Sequence, residues 1–147
     1  MKKIMVLGII PFLFGCSTSK SASSKQVETK LLDQYTFLLT EISKDKTYGL
    51  SEKNPIRVGG IEKNEGPVNE RRFLNALAGP NGEKISYYRA GSCCPIKSDK
   101  AVFGNHVMLD NYRVTWENSE DTVSIYINMY DYGELKAPVG FTISSYE

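Results

Sequence analysis

One histidine, one tryptophan and three cysteines are all that 147 residues provide of those types, and that scarcity removes several kinds of chemistry at once. His106 with the adjacent pair Cys93 and Cys94 falls short of the four ligands a tetrahedral zinc site needs. No metal or other cofactor is expected. An excess of one charge is also missing, since 18 basic residues face 17 acidic ones for a formal net of +1. Nothing therefore draws the chain to nucleic acid. The glycine pairs, Gly59-Gly60 included, lack phosphate-loop spacing. Neither an internal repeat nor an apolar run of transmembrane length is visible.

What is present begins at the N-terminus, where Lys2 and Lys3 precede an eleven-residue apolar run over residues 4–14. A positive start, a short apolar segment and a small residue before the cut mark a secretory signal, and the run is too short to span a bilayer. Leu13-Phe14-Gly15-Cys16 resembles the cleavage box of bacterial lipoprotein signal peptides, with Phe14 where a small aliphatic residue is usual. The resemblance implies that residues 1–15 are removed and that Cys16 becomes the lipid-bearing first residue. Membrane association then rests on that lipid, each acyl methylene contributing about 0.8 kcal/mol. Ser17 stands where an inner-membrane retention signal has Asp, and no acid follows closely. By resemblance to the sorting rules of such proteins, the outer membrane facing the periplasm is the expected address.

Residues 16–30 read as the lipidated cysteine and a flexible tether, because the tract STSKSASSKQVETK solvates well and buries nothing. Fully extended, residues 17–30 reach on the order of 45 Å. Residues 31–147 remain as a single domain, large enough to bury roughly 65% of its unfolded surface without disulfide staples.

Within that domain, residues 35–42 (YTFLLTEI) fit a helical stripe through Leu31, Tyr35, Leu38 and Ile42, yet their Tyr, Thr, Phe and Ile favour a strand. A strand is expected. Pro55-Ile56-Arg57-Val58 is a second short strand, ended by Gly59-Gly60. Gly66-Pro67 opens the clearest helix, with Glu70 near its positive end, Phe73, Leu74, Leu77 and Ala78 on one face, and Gly79-Pro80 as its stop. A helix of about three turns is marginal alone and needs a sheet to pack on. After the Asn81-Gly82 turn, residues 83–90 alternate. So do Tyr112, Val114 and Trp116, and again Val123, Ile125, Ile127 and Met129. Period two puts each set on one face, and Asn118-Ser119-Glu120-Asp121 is a turn of hairpin length. The expected fold is α+β: a small antiparallel sheet with a central hairpin, one short helix packed on it, and residues 138–143 as a last strand.

Cys93-Cys94-Pro95 is the most unusual local feature. In an oxidising compartment the two thiols can form a vicinal bridge, stay free, bond another chain or ligate metal. They either stiffen a loop after the strand at residue 83, or supply a reactive thiol with His106 as its base. Arg71 and Arg72 are candidate anion ligands, because guanidinium forks match carboxylate or phosphate, or else they lie on a solvated helix face. Tyr126, Asn128 and Tyr130, with Tyr87 or Tyr88 and Trp116, would form an aromatic platform for glycan or peptide; alternatively the rings cover the second sheet face or lie under the helix.

From residue 48 to 141, the runs YGLSEKNPIRVGG, NERRFLNALAGPNGEKISYYR, GSCCP, YRVTWE and YINMYDYGELKAPVGF resemble a group of small bacterial lipoproteins. Proteins of this look sometimes carry the name 2-dehydro-3-deoxyphosphooctonate aldolase. The enzyme so named is a barrel of eight strand-helix units, needs about 200 residues or more, and uses a cytoplasmic phosphorylated substrate. A shorter, secreted domain is not expected to carry out that reaction. The expected function is that of a non-enzymatic envelope lipoprotein, a tethered α+β module that binds an envelope protein or glycan or stabilises an envelope assembly, with a small thiol enzyme built on Cys93, Cys94 and His106 as the rival.

Overall fold

Residues 29–145 are those described by the computed structural model. The signal peptide at 1–15, the lipidation of Cys16 and most of the tether lie outside them. The described chain runs β1 (Leu31–Asp33), β2 (Thr36–Phe37), β3 (Ile56–Arg57), a 3-10 turn (Ile61–Lys63), α1 (Gly66–Asn75), β4 (Leu77–Ala78), β5 (Ile85–Lys97), β6 (His106–Trp116), β7 (Val123–Asn128) and β8 (Thr142–Ile143). This is an α+β fold. A four-stranded sheet of order β3-β7-β6-β5 is accompanied by two small pairs, β1-β2 and β4-β8.

The expected central hairpin is β6-β7, in which Tyr112 faces Ile125 and Val114 faces Val123. Period two carries these residues to one face of the sheet, where α1 lays Phe73 and Leu74 against them. Phe73, Leu74, Val114, Ile125 and Ile127 are fully buried. Burial of that apolar surface is what holds a ten-residue helix too short to be stable by itself.

Four local expectations are corrected. Strand β3 joins the sheet parallel to β7, not antiparallel, as Ile56 pairs with Ile127; the long stretch of chain between the two permits the crossover that parallel neighbours require. Residues 35–42 form no continuous strand. Asp33 Oδ1 accepts the Tyr35 N–H at 2.7 Å and turns the chain, so only Thr36–Phe37 pairs with β1, and Ile42 makes an isolated bridge to Ala137. The helix stops at Asn75, and Leu77–Ala78 leave its face to pair with Thr142–Ile143. Lastly, β5 continues through Cys93-Cys94-Pro95 to Lys97. Proline is tolerated there because β5 is an edge strand and Pro95 follows a bulge.

One turn depends on glycine. Gly59, with φ of 60°, lies under the Tyr132 ring, and a Cβ there would stand 2.4 Å from a ring carbon.

Candidate functional site

The inward stripe of α1 holds Gly66, Asn69, Glu70, Phe73 and Leu74, the i, i+3, i+4, i+7, i+8 spacing of a helix face. Two of these five are polar. Asn69 donates its amide to the carbonyls of Gly59 at 3.3 Å and Val58 at 3.5 Å, fixing the turn after β3. Glu70 is fully buried and points at the sheet, where its Oε2 accepts the Tyr112 hydroxyl at 2.8 Å.

Beside Glu70 stands Asp110, 4% exposed and one period of two before Tyr112 on β6. The Arg89 guanidinium grips it in a fork, Nε donating to Oδ2 at 2.6 Å and Nη2 to Oδ1 at 2.8 Å. Ser92 Oγ adds a hydrogen bond to Oδ1 at 3.0 Å and accepts one from Arg89 Nη2 at 2.7 Å. Arg89 and Ser92 are three apart in sequence, so an unbroken strand would send them to opposite faces. The register of β5 slips between Arg89 and Gly91, and this one-residue bulge restores both to the Asp110 side. Gly91 accepts the required φ of 148°.

Burial, first, and the neighbouring Asp110 charge, second, push the Glu70 carboxyl up to about 7 from its ordinary 4.5, against the opposing Tyr112 hydrogen bond. The second Glu70 oxygen, Oε1, is buried without a hydrogen-bond donor. A carboxyl so placed is most stable as the neutral acid, which can donate a proton toward Asp110 while accepting from Tyr112. Burial and then the Glu70 charge also raise the Tyr112 hydroxyl, which stays protonated as the donor. Asp110 meanwhile is held by the two-pronged ion pair with Arg89. The cluster is a clamp between helix and sheet.

The residues singled out from the sequence lie elsewhere and apart. Cys93 and Cys94 are joined to each other as a vicinal disulfide, at the second bulge of β5, with Cys94 at φ 56°. This places them within a strand, not in a loop after it. Cys93 pairs with Leu109, whereas His106 pairs with Lys97, three positions along β6 at the end of the same ladder. The disulfide-bonded form has no thiolate for a base to activate. A cleft of about 440 Å³ opens beside Cys94, lined also by Glu52, Lys53, Pro95, Ile96 and Lys97.

Arg71 is exposed, but Arg72 is engaged within the fold. Its Nε donates to the Gln34 carbonyl at 3.0 Å and its Nη1 to Asn69 Oδ1 at 2.9 Å, with Glu65 at 3.6 Å. The two arginines therefore do not act as one fork. The tyrosine platform is divided as well. Tyr87 stacks edge-on against Tyr112 and Trp116 against Phe141 on the helix-covered face, while Tyr126 pairs with Asn111 on the reverse face. Tyr130 sits in the turn after β7 that the buried Asn128 side chain holds. A second cleft of about 400 Å³ lies between Asn75, Lys84, Tyr87 and Ser144. Among the described residues, no group of three or more His, Cys, Asp or Glu is placed to hold a metal ion, and no helix is long and apolar enough to cross a membrane.

Comparisons of the chain with protein-family models, curated proteins and solved structures find no match.

Proposed function

We propose that this chain is an envelope lipoprotein, attached through lipid on Cys16 to the outer membrane and presenting its folded body to the periplasm as a binding or structural module. The observation that carries the reading is the Gly15-Cys16 junction, which closes an apolar leader and opens a polar tract ahead of a body with its own core. Support for a non-enzymatic body comes from where its reactive groups are spent. Glu70 and Asp110 bind Tyr112 and Arg89, and the two cysteines bind each other. The partner would be an envelope protein or a glycan.

Mass spectrometry of the N-terminal peptide from native membranes tests the anchor: Cys16 should be the first residue and carry lipid. An unmodified mature chain that begins elsewhere would sink the proposal. Cross-linking in the intact envelope, followed by identification of what co-purifies, tests the module. It should return a recurrent envelope protein or glycan fragment, whereas a small-molecule turnover lost on Cys93→Ser would replace it with the thiol enzyme.

A further inference from the structure

Beyond Asp110 the four-stranded sheet narrows to two strands. β7 pairs with β6 from Asp110 to Val114, so residues 106–109 of β6 have the outer part of β5 as their ladder partner. That outer part carries the second bulge. Cys93 pairs with Leu109 and Pro95 with Met108, which leaves Cys94 as the extra residue. Cys93 and Ile96 are three apart, and the bulge is what sets both on the face of Leu109 and Val107, which are 0% and 5% exposed. Without it, Ile96 would turn to the other face and Pro95 would take its place.

Contacts on either side hold the chain around that extra residue. Arg89 and Ser92 are bound to Asp110, and Ser98 Oγ donates to Asp131 Oδ1 at 2.8 Å. Between them Cys94 stands at φ 56°, a left-handed conformation that a residue with a side chain disfavours and from which a following proline pushes its neighbour toward extended backbone. The covalent link to Cys93 closes a ring across this peptide, so it holds what the local sequence does not. It is also within reach of solvent. Both cysteines are half-buried on an edge strand, and Cys94 lines the cleft of about 440 Å³ with Glu52, Lys53 and Lys97.

From this arrangement we infer that the Cys93–Cys94 pair is a reversible redox site, which a dithiol reduces from the cleft and which controls whether the outer part of the β5-β6 hairpin keeps its register. A donor thiolate attacks Cys94 Sγ, the bond between the two cysteines breaks, and Cys93 leaves with the electron pair as a thiolate. The donor's second thiolate then attacks the donor sulfur bound to Cys94, and Cys94 leaves as the second thiolate. Both thiolates take up protons, and the donor, two electrons poorer, ends as its own disulfide. With the ring open, nothing covalent keeps Cys94 at its positive φ. Residues 93–97 then lose their fixed pairing with 106–109, and the cleft they line changes with them. The site does not depend on lipid at Cys16.

Amide hydrogen exchange of the full chain, oxidised and after dithiothreitol without denaturant, tests this, with alkylation read on the peptide that carries residues 93 and 94. Reading that peptide keeps the outcome separate from the state of Cys16. Dithiothreitol should make both cysteines alkylatable, and exchange at residues 93–97 and 106–109 should quicken at least tenfold, against less than twofold at residues 123–128. Reoxidation in air should restore the slow exchange. Cys93→Ser with Cys94→Ser should exchange like the reduced parent, whereas Cys93→Ser with Cys94→Gly should exchange more slowly than the serine pair, because glycine takes a positive φ unaided. Reduction that needs denaturant, a reduced parent that exchanges like the oxidised one, equal quickening through residues 123–128, or a glycine variant no slower than the serine pair overturns the inference.

Discussion

Replacing Glu70 by Gln isolates the proton that the buried clamp holds. The glutamine has nearly the same shape, can accept from Tyr112 and can donate toward Asp110, but it cannot ionise. In the parent, the folded carboxyl titrates near 7 and the free one near 4.5. Between those values the folded state binds more protons than the unfolded state, so Glu70 lowers stability as pH rises. Its favourable contribution is complete below about 4.5 and is lost by the time pH has passed through 7. At about 1.4 kcal/mol for each pH unit, the loss amounts to about 3–4 kcal/mol at most.

Glu70→Gln should therefore match the parent near pH 4.5 and grow relatively more stable as pH rises, by up to about 3 kcal/mol at pH 8. Urea unfolding at fixed pH values from 4.5 to 8, followed by far-ultraviolet circular dichroism, gives the two curves. The difference between them removes every other titrating group. Parallel curves, at whatever offset, would falsify the argument, because they would mean that the ionisation of Glu70 is not what separates the folded from the unfolded state.

Three further outcomes are expected. Ile125→Ala and Ile127→Ala, at fully buried positions, should each cost about 2–5 kcal/mol in urea unfolding, and Thr122→Ala well under 1; similar small losses at all three would contradict the assigned core. Gly91→Val should cost about 1–3 kcal/mol although nothing lies within 4 Å of its Cβ position, since the penalty comes from a φ of 148° alone; an unchanged unfolding midpoint would count against the bulge. Iodoacetamide should label Cys93 and Cys94 slowly in the folded, non-reduced protein and readily after reduction, because only a thiolate is alkylated; rapid labelling without reduction, lost on His106→Ala, would revive the thiol enzyme.

The hairpin and the helix were legible because each carries its period in apolar residues. Val123, Ile125 and Ile127 alternate with polar neighbours, and Phe73 and Leu74 form a helical pair. The clamp was not legible, although the same periods contain it. Carried back four residues from Leu74, the helical face reaches Glu70; carried back two from Tyr112, the strand face reaches Asp110. Charged residues at core positions are read by habit as the place where the core stops. The bulge at Gly91 was hidden for another reason: it changes the parity of a strand without changing its composition. Residues 35–42 misled because their side chains favour a strand while the carbonyls of Gln34 and Tyr35 are taken by α1, a contact between positions about 40 apart that no local pattern contains.

Helix α1 is where these features meet. Its inner stripe holds the sheet through Phe73, Leu74 and Glu70, while Asn69, Arg72 and Asn75 hold the carbonyls of loops on its flanks. Asn75 also accepts the Tyr87 hydroxyl at 2.8 Å, tying the end of the helix to β5. A ten-residue helix has little stability of its own, so anything that loosens its seat on the sheet loosens what its flanks hold. The proton on Glu70 and the turn of the N-terminal hairpin are thus linked through one element. Ionising that acid against Asp110 weakens the seat, and the hairpin loses the two backbone clamps that keep its turn in place only as far as the helix itself moves. The buried acid is then more than a tolerated defect in the core, because a leucine at 70 would pack against Tyr112 and leave its buried hydroxyl without the acceptor it now has.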